Sequence, residues 1–117
     1  MTIRLYGIPN CDTVKKARAW LTERQHDFLF HDFKKAGLDQ LTIEHWLQWV
    51  DWEVLINRKG TTWRTLDDAR KASIIDVDSA IQLMLENPSI IKRPVLVTTT
   101  QTIVGFSDDA YQQIFKK

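Results

Sequence analysis

Cys11 is the only thiol in the chain. It stands in "YGIPNCDTVKKARAWL", between a turn-forming Gly-Ile-Pro-Asn stretch and a run of helix formers. Thiolate is the reactive form of cysteine, and a free thiol with a pKa of about 8.5 is mostly protonated near neutrality. Cys11 falls at the first turn of the expected helix, where unpaired N–H groups and the helix dipole favour an anion. Lys15, four residues on, lies within reach of the same face, whereas Asp12 points elsewhere. These features predict a thiol that ionises more readily than a free one. The competing reading is a small packing residue, the usual fate of a lone cysteine. The place between a strand and a helix favours chemistry. His26, His31 and His45 show no ligand spacing with Cys11, so no metal site is expected.

Two arginines stand where elements end. Arg58 follows an apolar stretch in "LINRKG", and Arg93 directly precedes a strand in "KRPVLV". Most arginines are solvated surface charges. Two guanidinium forks near a thiolate would instead hold an oxyanion or a carboxylate bidentately. Pro94 fixes the entry of the strand, and a cis Arg93–Pro94 bond would turn the backbone of Arg93 toward a ligand beside Cys11.

The positioning elements follow from periodicity. "TIRLY" reads as a strand with Ile3 and Leu5 on one face. From Asp12 to about Arg24 the pattern is helical, with Val14, Ala17 and Leu21 in one stripe, Trp20 at its edge, and Lys15, Lys16 and Arg18 mostly toward water. "DFLFHDF" alternates as a second strand, and strand–helix–strand suggests a parallel βαβ unit. "TIEHWLQWV" carries Ile43, Trp46, Leu47 and Val50 at helical spacing, with Thr42 as the expected N-cap. A turn at Gly60 precedes a short helix packing Trp63 and Leu66. Val77, Ala80, Ile81 and Met84 mark another helix, ended by Pro88. Among the tryptophans of "WLQWVDW", Trp46 and either Trp49 or Trp52 are expected to pack inward. "RPVLVTTTQTIVGF" predicts two strands joined around Thr100–Gln101. "SDDAYQQIF" predicts a closing helix capped by Ser107, with Tyr111, Ile114 and Phe115 as its apolar stripe. The order is βαβ, a mainly helical insert, then ββα.

With 117 residues, 44% hydrophobic and 26% charged, the chain is long enough for one core without staples and suits one soluble domain. A net charge of +1 gives no basis for broad nucleic-acid binding. A single cysteine cannot form an internal disulfide. Together with the lack of a basic-then-apolar start in "MTIRLYGIPN", this leads to a cytoplasmic expectation. No stretch is long and apolar enough to predict a membrane span.

The combination of "YGIPNCDTVKKARAWL", "LINRKGTTWR", and "KRPVLV" before "IVGFSDDAY" resembles the ArsC-like branch of the thioredoxin superfamily, which includes arsenate reductases and Spx transcription regulators. The likeness runs over nearly the whole chain. It implies an α/β, thioredoxin-like mixed sheet, βαβ…ββα, with a helical insertion. Residues 1–34 and 89–117 would form the thioredoxin-like core and 35–88 the insertion, within a single domain 1–117. The resemblance also implies that Cys11 is the nucleophile, that Pro94 is the cis-proline beside it, that Arg58 and Arg93 serve the reactive sulfur, and that Asn10, Asp12 and Thr13 belong to the surrounding loop. Gly7 stands where arsenate-reducing members tend to have histidine, and Val14 stands where they have serine. Gly105 and Phe106 stand where they carry a third arginine. Val14 also replaces the second cysteine of the Cys-x-x-Cys common in Spx regulators.

One thiolate can form a mixed disulfide but cannot resolve it, so a second thiol must come from solution. The expectation is a glutathione-dependent monothiol oxidoreductase, with glutathione as co-substrate. Its carboxylates would meet Arg58 or Arg93 with help from Lys15, Thr13 would donate near the sulfur, and backbone near Pro94 would pair with the extended tripeptide. The alternatives are an Spx-like binding module that contacts a larger partner such as RNA polymerase, or an arsenate reductase with incomplete anion support. A monomer is expected.

Overall fold

The computed structural model describes residues 2–116. The elements run β1 (Arg4–Gly7), α1 (Asp12–Glu23), β2 (Leu29–Asp32), α2 (Gln40–Leu47), α3 (Trp52–Leu55), α4 (Thr61–Arg64), α5 (Asp68–Ala72), α6 (Val77–Glu86), a 3₁₀ turn (Pro88–Ile90), β3 (Val95–Val97), β4 (Thr102–Val104) and α7 (Asp108–Phe115). The four strands form one sheet in the order β2-β1-β3-β4. β1 pairs parallel with β2 and antiparallel with β3, and β3 pairs antiparallel with β4. This is the thioredoxin-like mixed sheet, with α2–α6 inserted between the parallel unit and the hairpin.

The two-residue period of a strand divides the core between the two faces of the sheet. Leu5 lies opposite Phe30 and Leu96, and Leu96 opposite Ile103. This face packs on Ala17, Trp20 and Leu21 of α1 and on Tyr111 of α7. Tyr6 and Val95 face the other way, onto Ile43 and Trp46 of α2, Leu55 of α3, and Leu83 and Met84 of α6. Glycine is required where β1 ends. A Cβ on Gly7 would come 2.8 Å from Cγ2 of the buried Val14, so the first turn of α1 lies directly on the strand end.

Two expectations, the cap of α2 and the place of Val77, are corrected, and those for the tryptophans and for Ser107 are met. Asp39, not Thr42, caps α2: its side chain accepts from the Thr42 N–H at 2.8 Å, which puts Thr42 inside the first turn. Val77 is exposed at the start of α6, whose buried stripe is Ala80, Ile81, Leu83 and Met84. Trp46 is fully buried and Trp52 packs against the same core, whereas Trp49 is exposed. Asp51 and Asp67 cap the two further short helices α3 and α5. Ser107 caps α7 by accepting from the Ala110 N–H. Among the described residues no helix is long and apolar enough to cross a membrane.

Candidate functional site

Cys11 is the N-cap of α1, with extended backbone angles (φ −133°, ψ 124°) and its carbonyl accepting from the Lys15 N–H at 2.9 Å. A residue in this conformation lies just outside the helix, so the four-residue spacing to Lys15 does not bring the two side chains together as it would within a helix. Lys15 is exposed and does not line the cavity at Cys11. The half-exposed thiol instead opens into a cavity of about 470 Å³. Thr13, Asn57, Lys92 and Arg93 supply the polar wall, and the hairpin end Ile103–Phe106 with Ser107 and Ala110 of α7 supplies the rest. No aspartate or glutamate lines it.

The insertion and the hairpin bring these groups together through backbone pairing. Ile56 bridges Ile91, the Lys92 N–H donates to the Leu55 carbonyl at 2.7 Å, and the Asn57 N–H donates to the Ile90 carbonyl at 2.8 Å. That short ladder sets Asn57, Lys92 and Arg93 beside one another. The Arg93–Pro94 peptide is cis, and the buried Pro94 accepts through its carbonyl from the Gly105 N–H at 2.8 Å, which closes the hairpin against the cavity.

The electrostatics at the sulfur follow from opposed effects. Burial works against ionisation. The Val14 N–H, the Arg93 guanidinium (as donor and as charge) and the Thr13 N–H work for it and outweigh burial, so the Cys11 thiol titrates below its ordinary value. The Cys11 side chain makes no capping hydrogen bond of ordinary geometry, so the two N–H groups act on the sulfur as nearby dipoles rather than as short bonds. Arg93 itself is held by its Nη1, which donates to the Ser89 carbonyl at 2.7 Å. Its Nε is buried without a partner.

Of the residues singled out from sequence, Cys11, Thr13 and Arg93 meet in this cavity. Asn10 and Asp12 are exposed on the adjoining loop and helix start and do not line it. Arg58 does not line it either. Its guanidinium lies 5.8 and 5.5 Å from the ring centres of Trp52 and Trp63 and 3.9 Å from a Glu53 carboxylate oxygen. The reason is the turn that begins at Asn57, in which the Gly60 N–H donates to the Asn57 carbonyl: the chain leaves the ladder there, and Arg58 stands on the outside of the turn. Asn57 and Lys92 are the polar residues that sequence reading missed. Their only local signals are adjacency to the two arginines and the Asn-x-x-Gly turn, in which the Asn57 Oδ1 accepts from the Lys59 N–H.

Arg93→Met tests the electrostatic account. It removes a donor and a cation that favour the thiolate and leaves burial, which opposes it. The midpoint of Cys11 alkylation by neutral iodoacetamide is therefore expected to move to higher pH, with a several-fold slower rate at neutral pH and partial recovery in Arg93→Lys. An unchanged pH profile would show that Arg93 does not act on the sulfur.

Comparison with known proteins identifies the family and supports the fold. The sequence profile of the ArsC family matches residues 6–114. A solved YFFB protein superposes with a TM-score of 0.90 at 48% identity, covering 95% of this chain and 96% of that one. The solution structure of an arsenate reductase related protein from Brucella melitensis gives 0.76 at 47% identity, covering 100% and 97%. The global transcriptional regulator Spx of Streptococcus pyogenes is 29% identical over 92% of this chain and 80% of its own length. With nearly the whole chain inside the family profile, the protein belongs to the ArsC family.

Proposed function

We propose that the protein is a monothiol thiol–disulfide oxidoreductase that uses glutathione as its second thiol. The observation that supports this reading is the placement of the sole thiol: Cys11 opens into a cavity lined by Arg93 and Lys92 and free of acidic side chains, and its thiol titrates below the ordinary value. The Cys11 thiolate attacks the glutathionyl sulfur of a disulfide R–S–S–G. The Cys11–glutathione bond forms, the original S–S bond breaks, and R–S⁻ leaves with the electron pair and takes a proton from solvent. A second glutathione thiolate then attacks the glutathionyl sulfur, releasing oxidised glutathione and restoring the Cys11 thiolate. R–S–S–G is reduced and two glutathione units are joined, so no internal resolving thiol is needed.

Incubation with oxidised glutathione should add one glutathionyl group at Cys11 by mass spectrometry. Excess reduced glutathione should remove it, and the protein should accelerate glutathione-dependent reduction of hydroxyethyl disulfide. Failure to form the adduct, with Cys11 still open to iodoacetamide, would end the proposal. The arsenate-reducing alternative is opposed by the contact at Gly7, because the γ-methyls of Val14 leave no room there for a larger side chain. An Spx-like binding role is favoured by the likeness to Spx and by exposed apolar residues of the insertion, such as Trp49 and Ile75.

A further inference from the structure

Lys92 reaches the cavity by lying across Gly105. A Cβ built on Gly105 would meet Lys92 Cε at 3.3 Å and Nζ at 3.9 Å. Gly105 has φ +79°, in the left-handed region that side chains disfavour, so the hairpin end is bare there and the lysine stem uses the bare surface as its bed. The strand-entry backbone holds the Lys92 main chain through its N–H bond to Leu55. Among the described residues Lys92 has no carboxylate partner, in contrast to Arg24, Arg58 and Arg70. Arg93 is committed on one side to the Ser89 carbonyl and acts on the sulfur. The cavity therefore holds two cations with different tasks, and the ammonium of Lys92 is the one left for a second negative group.

We propose that Lys92, seated on Gly105, forms an anion subsite beside Cys11 that takes a carboxylate of the disulfide partner and makes the thiol select anionic over cationic disulfides. The inference rests on Cys11 acting as a thiol-exchange nucleophile. It goes beyond that reading by naming the residue that sets charge preference. An ammonium in a cavity with no acidic lining attracts carboxylates and repels ammonium groups, and the field near low-dielectric walls strengthens both effects.

The test measures mixed-disulfide formation at Cys11 with three small disulfides: dithiodipropionate (anionic), hydroxyethyl disulfide (neutral) and cystamine (cationic). Each rate is divided by that of the neutral compound, so changes in thiolate content cancel. Relative to wild type, Lys92→Met is expected to lower the anionic-to-neutral ratio about fivefold, the size of one contact charge pair in water, and the anionic-to-cationic ratio by more, because the repulsion of the cationic compound is lost as well. Lys92→Glu should invert the preference, Lys92→Arg should keep it, and Lys16→Met, exposed on α1, should leave it as in wild type. Added salt should flatten the wild-type ratio and affect Lys92→Met far less. An unchanged ratio in both Lys92→Met and Lys92→Glu would overturn the subsite even if glutathione adducts form normally. If wild type forms no mixed disulfide with any of the three, thiol exchange itself fails and the subsite fails with it.

Discussion

Cys11→Ser is expected to abolish mixed-disulfide formation and all glutathione-dependent turnover while leaving the fold intact. The loss should be complete because the chain holds no second cysteine that could take over, even slowly. A serine hydroxyl in the same place is not ionised near neutrality and has no base within the described cavity lining to activate it: that lining contains no histidine, aspartate or glutamate. Stability should hardly change. Cys11 is half-exposed, makes no side-chain cap in the native state, and occupies an N-cap position that serine favours. If the new hydroxyl reaches the Thr13 or Val14 N–H, the helix gains up to ~1 kcal/mol. Mass spectrometry after oxidised glutathione, a hydroxyethyl disulfide assay and a thermal melt read the three parts separately. Residual turnover in the serine variant would move the chemistry away from Cys11. A large fall in melting temperature would mean that the cysteine serves packing.

The sequence made the strand–helix–strand opening, the α1 stripe and the Ser107 cap legible because each is written within a few consecutive residues. Val14, Ala17 and Leu21 recur at helical spacing, and Ser107 stands directly before two acids. Four- and five-residue helices carry no such repeat. Only Asp51 and Asp67 mark α3 and α5, and a lone aspartate is as common in a turn. For α2 the sequence points to Thr42 as the cap, and the helix in fact starts one turn earlier, where the Asp39 side chain accepts from the Thr42 N–H.

The site was legible at its centre and not at its rim, for a different reason. Arg58 and Arg93 look alike in sequence, each a guanidinium at the end of an apolar run. Which of them turns to the sulfur depends on the bridge between Ile56 and Ile91, a contact between distant segments. The bridge draws the two segments together and so places Asn57 near Arg93 at the cavity, while the turn that follows Asn57 carries Arg58 out to Trp52, Trp63 and Glu53. Lys92 is harder still to find from sequence, because its seat is the bare surface of Gly105 on the other side of the hairpin.

Trp46→Ala is expected to destabilise the insertion strongly, and through it to weaken the site. Trp46 is fully buried and meets Tyr6 of β1 edge-on at 5.1 Å, so it ties α2 to the strand that ends at Gly7 and leads into the Cys11 loop. Truncating a buried tryptophan to alanine costs about 3–5 kcal/mol from lost burial and the cavity left behind. Part of that is offset, because the Trp46 Nε1 is buried without a hydrogen-bond partner and its removal relieves a penalty of about 1–3 kcal/mol. At the middle of both ranges packing wins, and the net loss should be about 2 kcal/mol, a large share of the 5–15 kcal/mol typical of a domain. Trp46→Phe separates the two terms: it removes the orphan N–H while keeping an aromatic edge on Tyr6, so it should cost far less. Urea titrations should show a lower midpoint at constant slope for the alanine variant. A loss below about 1 kcal/mol would show that the tryptophan contributes little to joining the insertion to the sheet. The same variant carries a signature at Cys11. Freeing Tyr6 loosens the end of β1, where Gly7 supports Val14, and the Val14 N–H is one of the dipoles that favour the Cys11 thiolate. Alkylation of the folded alanine variant should therefore shift to higher pH, in the same direction as Arg93→Met, although the substitution lies on the opposite face of the sheet from α1 and α7.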